Sequence, residues 1–275
     1  MLRRTRTNII LATLAILLAA MLVFPVFWMV LTSFKTAAEI QRIPPKIFPD
    51  SMRYFSNYRE VLQRQPFFRF IGNSLLISIA SCLVSIVITS MAGYGFSKFD
   101  FKGKEVLFFS ILCFLIVPFQ AVVVPLYQWV ARLRLIDTYV GLSLPLVVSA
   151  FGVFLMRQGM DVVPRDLIEA ARIDGCKEFP LFIMIVMPMV KAFIATQAII
   201  KFMWTWNEFL WPLVVTNRVE MKVVTVGLQC FTNMYFTEYH LITAAAVFSI
   251  LPMAAMFLLF QRGIVRAISM SGLKG

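Results

Sequence analysis

The sequence predicts an all-α membrane protein with six transmembrane helices and both termini on the cytoplasmic side. Three observations carry this. Of 275 residues, 60% are hydrophobic and 15% charged, and the mean hydropathy is +0.82, too apolar for a domain whose surface faces water. The apolar residues are gathered into long runs without Asp, Glu, Lys or Arg. The Lys and Arg behind the net charge of +12 are scattered between those runs and form no basic stripe, which argues against nucleic acid as a partner.

A spanning helix needs about 20 mostly apolar residues, each rising about 1.5 Å through a core of about 30 Å. The first candidate is Ile9 to Val30. The basic LRRTRTN precedes it and no small-residue cleavage site follows, so it reads as an anchor and not as a cleaved signal. Ile71 to Phe96 is the second. It carries Ser74, Ser78, Ser81, Ser85, Thr89 and Gly93 at steps of three or four, one face of small residues. Such a face serves either a close helix contact or a wall of a transport path, for which Ser78 and Ser85 are the candidates.

Val106 to Val130, Thr138 to Met156 and Leu241 to Phe260 complete the charge-free runs. Pro25, Pro118, Pro125, Pro145 and Pro252 lie inside these runs, where neighbouring helices can re-satisfy the backbone. A further span, Met187 to Trp211, contains Lys191, Lys201 and Glu208; accepting it makes both of its flanks consistent.

With the N-terminus inside, the inner segments hold about 14 Lys and Arg and the outer ones about 11, a weak positive-inside bias. Trp28, Trp129, Trp204, Trp206 and Trp211 all fall toward the outer ends of odd-numbered helices, as an aromatic belt would. No linker or repeat divides the chain, so residues 1–275 read as one domain. Cys82, Cys113, Cys176 and Cys230 form no C-x-x-C pair. With His240 the one histidine, neither a disulfide framework nor a His-based metal site is expected.

Charge concentrates where the topology places a cytoplasmic segment, residues 158–186. The stretch EAARIDGCKEFPLF holds three acidic and two basic residues. Pro164 suits a first helical turn and Gly175 a left-handed C-terminal stop. Between them Leu167, Ala170 and Ala171 share a face, surrounded by Arg165, Asp166, Glu169 and Arg172. A second short helix starts near Lys177. Such a knob fits helix-in-groove docking to a partner, or lies at the lipid interface; spacing does not decide between them.

EAARIDG followed by FPLFIMIVMP resembles the EAA signature of permease subunits in binding-protein-dependent ABC importers. SFKTAAEI, PPKIFP, NYREVL, FIGNSLLIS, AGYGFSKFDFKGK, VPLYQWV, FGVFLMRQ, TWNEFLWPLVV and FQRGIVRAISMSGLKG resemble the carbohydrate branch, the maltose-transporter type, from about Phe24 to Gly275. That family often has a glycine near Arg134 and a proline near Ala192, where this chain departs from it.

The resemblance implies the type I ABC importer permease architecture and a non-catalytic transport subunit in the bacterial inner membrane. It makes Glu169, Ala170, Ala171, Asp174 and Gly175 the ATPase-coupling residues. Trp206, Asn207 and Glu208, from the WNEF motif, join Ser78 and Ser85 as substrate-path candidates. The implied partners are a second permease subunit, two ATP-binding subunits that hold ATP and magnesium, and an extracytoplasmic substrate-binding protein meeting the outer loops, especially 216–240. The tail from Gln261 is a further ATPase contact. The chain lacks G-x-x-x-x-G-K-[ST], so no nucleotide site or other cofactor is expected in it.

Lys201 and Glu208, seven residues apart, lie nearly on one helix face, an arrangement a proton-coupled secondary transporter also uses. The alternatives are therefore a glycerol-phosphate importer of the same branch, an ion-coupled carrier and, more distantly, a membrane-embedded hydrolase, for which no nucleophile–base pair is evident.

Overall fold

A computed structural model describes the backbone of residues 2–51, 55–232 and 237–271, with most side chains between residues 8 and 258. In chain order the helices are α1 (Leu2–Thr32), α2 (Ala37–Ile40), α3 (Ser56–Arg64), α4 (Phe67–Lys98), α5 (Lys104–Cys113), α6 (Phe119–Arg132), α7 (Tyr139–Val147) and α8 (Ala150–Asp161). They continue as α9 (Arg165–Ile173), α10 (Glu178–Leu181), α11 (Met187–Met189), α12 (Lys191–Asn207), α13 (Leu210–Val215), α14 (Val224–Leu228) and α15 (Tyr239–Ser271). A π-helical turn, Phe182–Val186, joins α10 to α11.

Among the described residues three helical stretches are long and apolar enough to cross a membrane: Leu11–Thr32, Phe67–Lys98 and Tyr239–Met256. The number rises to five if each of two bent pairs is one span. These pairs are α7 with α8, bent by 49°, and Glu178–Met189 with α12, bent by 79°. The expected third span is not one helix but α5 and α6. Pro118 lacks an N–H and holds an extended ψ of 134°, so the helix stops and restarts after residues 114–118.

The fourth span breaks at Val148 and Ser149, both extended; the Ser149 hydroxyl then caps α8 by accepting from the Gly152 N–H at 3.0 Å. The fifth begins well before Met187 and ends at Asn207. Glu208 turns extended, and Leu210–Val215 forms a separate helix.

The chain divides into two compact units, one of residues 1–68 with 227–252, the other of 69–226 with the residues from 253 on. In the first, Asn57 ties down the exit of α1, donating from Nδ2 to the carbonyls of Ser33 and Lys35 at 2.8 Å each. Tyr58 and Phe67 pack against Phe248, and Arg64 grips Glu238 with two bonds of 3.0 Å. Thr36 and Glu39 form a reciprocal capping box on α2. Glu39 also accepts the Asp50 N–H at 2.7 Å, closing the segment 36–50 on itself.

In the second unit the small-residue face of α4 is packed. Ser78, Ser81 and Ser85 are fully buried, Gln197 of α12 donates to the Thr89 hydroxyl, and the Cys82 thiol donates to the Ala198 carbonyl. A Cβ on Gly93 would lie 2.7 Å from the Met156 Cβ, so α4 and α8 touch there backbone to backbone. A separate core gathers Ile77, Val130, Leu142, Trp211 and Val215.

Trp211 and Trp206 are buried, so they form no part of a lipid-facing belt. The Trp211 indole donates instead to the carbonyls of Gly141 and Leu142 at 3.1 and 3.2 Å. Trp129 and Trp204 remain exposed.

Arg134 adopts φ +58°, the left-handed region that favours glycine. A side chain there costs about 1–2 kcal/mol, partly offset in a glycine variant by a more flexible unfolded chain. Arg134→Gly is therefore expected to stabilise the protein by about 0.5–1 kcal/mol, read as a raised unfolding midpoint in detergent.

Burial opposes the charge on Glu39, yet the Thr36 and Asp50 N–H groups and the Thr36 hydroxyl outweigh it and hold the carboxyl below the usual glutamate range. A depressed carboxyl contributes stability above its unfolded pKa and loses it as pH falls through the folded value. Amide-exchange protection of residues 36–50, corrected for intrinsic rate, should therefore be intact at about pH 6 and reduced at about pH 3.

Candidate coupling site

The charged segment folds as the sequence predicts in outline. Pro164 lies immediately before α9, Asp166 stands in its first turn and Arg172 in its last, each complementing the helix dipole. Gly175 takes φ +81° just beyond the helix, and two bonds close the turn: Cys176 N–H to the Ala171 carbonyl at 2.9 Å and Gly175 N–H to that of Arg172 at 3.0 Å. This pattern satisfies carbonyls that the helix end would otherwise leave open. A side chain at position 175 would meet no neighbour, so the constraint is conformational.

The face that α9 turns inward differs from the expected one. Ile168 and Ala171, three residues apart, are 2% and 9% exposed and pack with Met156, Met160, Leu181, Phe182 and Val186. Leu167 and Ala170 face outward, because the pocket formed by Met156, Met160, Leu181, Phe182 and Val186 receives Ile168 and Ala171 instead.

Of the five expected coupling residues, Glu169, Ala170, Asp174 and Gly175 are exposed, whereas Ala171 is packed into the bundle. The outward surface also carries Leu167 and Ile173, the latter 85% exposed. Sequence reasoning passed over Ile173, and a single apolar residue in a charged stretch gives no signal that could have singled it out.

The end of α4 anchors the start of this segment. Lys98 donates from Nζ to the Val163 carbonyl at 2.6 Å, and Ser97 donates to the Asp161 carboxylate at 2.6 Å.

The path candidates separate into two groups. Trp206, Asn207 and Glu208 lie together where α12 ends. Trp206 is buried and stacked on Phe202 at 5.8 Å, and Asn207 is exposed. The Glu208 carboxylate accepts the Trp211 N–H at 3.1 Å, while its carbonyl accepts the Thr225 hydroxyl at 2.8 Å. Ser78 and Ser85 are instead in the interior of the second unit, their hydroxyls without a hydrogen-bond partner.

Lys201 is 7% exposed and donates to the Val148 carbonyl at 3.3 Å, at the break that ends α7. A cation at a helix C-terminus is favoured by the dipole, so this buried charge has a structural partner. In the segment 216–240, expected on the outer side, positions 233–236 lie outside the described residues, as do the side chains of 261–271 and everything from 272 on.

Residues 85–270 match the family model described as binding-protein-dependent transport system inner membrane component. The arabinooligosaccharides transport system permease protein of Bacillus subtilis (strain 168) is 34% identical over 261 residues, covering 94% of this chain and 93% of its own. The lactose transport system permease protein of Rhizobium radiobacter is 30% identical, with 97% of each chain covered. The sn-glycerol-3-phosphate transport system permease protein of Rhizobium meliloti (strain 1021) is 31% identical over the same shares.

A chain in the crystal structure of a bacterial ABC transporter involved in import of the acidic polysaccharide alginate superposes with a TM-score of 0.81. At 21% identity, covering 94% of this chain and 96% of that one, it bears on the fold alone. By the match over residues 85–270 and these relatives along nearly its whole length, the chain belongs to the family of inner membrane components of binding-protein-dependent transport systems.

Proposed function

We propose that this chain forms half of the translocation path of an ATP-driven importer of a sugar or oligosaccharide, and that α9 is the surface on which partner ATPases act. The observation that carries it is α9 itself, a capped helix seated by Ile168 and Ala171 on the bundle core, with Glu169, Ala170, Asp174 and Gly175 turned outward. In this reading the whole chain is one permease domain crossing the membrane six times, α5 and α6 together making the third span, with both termini cytoplasmic. ATP and magnesium are held by the partner subunits. A second permease, a different chain, completes the path, and an extracytoplasmic binding protein docks on the outer loops.

Asn207 and Glu208, with Trp206 beside them, are proposed to line the path where α12 ends; Ser78 and Ser85 stand behind it in the packed wall. The arabinooligosaccharide and lactose permeases favour a saccharide. The glycerol-phosphate permease, at similar identity, supports a second reading in which sn-glycerol 3-phosphate is carried. Uptake of these three solutes by the complete transporter in proteoliposomes separates the readings.

Charge-assisted hydrogen bonds are worth about 1.5–3 kcal/mol, so Glu169→Lys should weaken ATPase association roughly 10- to 100-fold and abolish uptake, with the permease still in the membrane. Co-purification of the ATP-binding subunits and ATP-dependent uptake read this out; normal values for both would reject the docking role.

The partners of Lys201 and Glu208 also bear on ion coupling. Lys201 holds a carbonyl at a helix break and Glu208 holds the start of the next helical segment, so each has a structural role that needs no proton transfer. Lys201→Met, similar in volume, is expected to leave uptake ATP-dependent while the uncovered Val148 carbonyl costs about 1–3 kcal/mol of stability. Uptake driven by a proton gradient without the ATPases, and lost in this variant, would instead establish a secondary transporter.

A further inference from the structure

A docking helix transmits work only if it cannot swing. α9 is joined to α10 through residues 174–177, a turn built around Gly175 with its left-handed φ of +81°. Hinges absorb motion at such positions. Something has to fix the angle across this one if a force on α9 is to reach the transmembrane helices.

One carboxylate spans the turn. Glu178, the first residue of α10, accepts from Arg172 of α9 in a fork, Nη2 to Oε1 at 3.0 Å and Nε to Oε2 at 3.2 Å. The same Oε1 accepts the hydroxyl of Tyr94 on α4 at 2.5 Å. Three helices therefore meet at one side chain.

The geometry around it is set by packing. Tyr94 is 5% exposed, with its ring 5.0 Å from that of Phe182 and edge-on to Phe99 at 5.6 Å. The Arg172 guanidinium lies over Phe99 at 6.0 Å. A planar fork fixes direction as well as distance, which a lysine at 172 would not do. The other end of the segment is bound to the same last turn of α4, through Lys98 and Ser97. Both ends of the α9 segment are thus held by residues 94–98.

We propose that Tyr94, Arg172 and Glu178 are positioning residues, a strut that makes α9 and α4 move as one body when the ATPases act on α9. The inference rests on the reading of α9 as the docking helix. Arg172 and Glu178 side chains are each 40% exposed, and ion pairs so exposed contribute little to stability. What the triad supplies is the angle between helices. Ile168 and Ala171 seat α9 on the core by apolar contact, which resists withdrawal but leaves rotation about the contact open; the strut removes that freedom.

The test uses the complete transporter with its partner subunits, carrying spin labels at Arg165 on α9 and Leu83 on α4, with the native cysteines replaced by serine. Distances are measured at rest and after trapping with ATP and vanadate. In the otherwise wild-type protein the distribution is narrow and does not move on trapping. Tyr94→Phe and Glu178→Ala each at least double its width and let it shift on trapping, while the ATP-binding subunits still co-purify. The double exchange Arg172→Glu with Glu178→Arg restores a narrow distribution that neither single exchange gives.

Unchanged distributions in Tyr94→Phe and Glu178→Ala overturn the strut, as does failure of the double exchange to restore what the single ones lose. Loss of the ATP-binding subunits from Tyr94→Phe also overturns it, by making these residues part of docking. The docking reading fails separately, if Glu169→Lys keeps the ATP-binding subunits with the strut intact.

Discussion

The seating of α9 on the bundle core is the interaction on which the account depends. Ile168 and Ala171 bury themselves among Met156, Met160, Leu181, Phe182 and Val186, residues contributed by α8, α10 and the π-helical turn. Removing an isoleucine side chain and a methyl group from water is worth about 2–4 kcal/mol together, more than any exposed ion pair nearby. That burial also decides what is left outside, because a nine-residue helix with one face committed must present the opposite face to solvent. Glu169, Ala170 and Asp174 are outward because Ile168 and Ala171 are inward.

Broken helices are the second constraint, and the chain answers the breaks in the fourth and fifth runs with specific donors and acceptors. Carbonyls and N–H groups freed inside a membrane must find partners within the protein. Lys201 covers the Val148 carbonyl at the end of α7, Ser149 caps α8, the Trp211 indole serves Gly141 and Leu142, and Glu208 holds the Trp211 N–H. Several residues that stand out in the sequence as isolated polar groups in apolar surroundings are explained by this need. Their chemistry is that of caps. Asn207 differs, being exposed at the end of α12 with its amide donating to the Met203 carbonyl at 2.9 Å.

Much of the α9 segment was legible in the sequence, and for a reason. Pro164 and Gly175 act through their own backbone preferences, so the limits of α9 and the left-handed turn after it follow from two residues read locally. The long helices α1, α4 and α15 were equally legible, since an uninterrupted apolar run has few alternatives. The rotation of α9 was not. Choosing between Leu167 and Ile168 as the buried residue depends on the shape of a core assembled from distant segments.

The breaks within the third, fourth and fifth runs escaped hydropathy because a window average does not register a kink; the prolines marked their neighbourhood without fixing the residue at which the chain turns. The strut was hidden for the same reason as the rotation. Arg172 and Glu178 are near neighbours in sequence, but nothing local brings Tyr94, 84 positions before Glu178, to the same carboxylate.

The central claim is that the outward face of α9 meets an ATP-hydrolysing partner inside the cell. The most direct measurement is photo-crosslinking from position 170, between Glu169 and Ala171, in the assembled transporter in native membranes, with the adduct identified by mass spectrometry. The account predicts a covalent adduct to an ATP-binding subunit. Adducts to lipid alone, or to a protein on the outer side of the membrane, would contradict it.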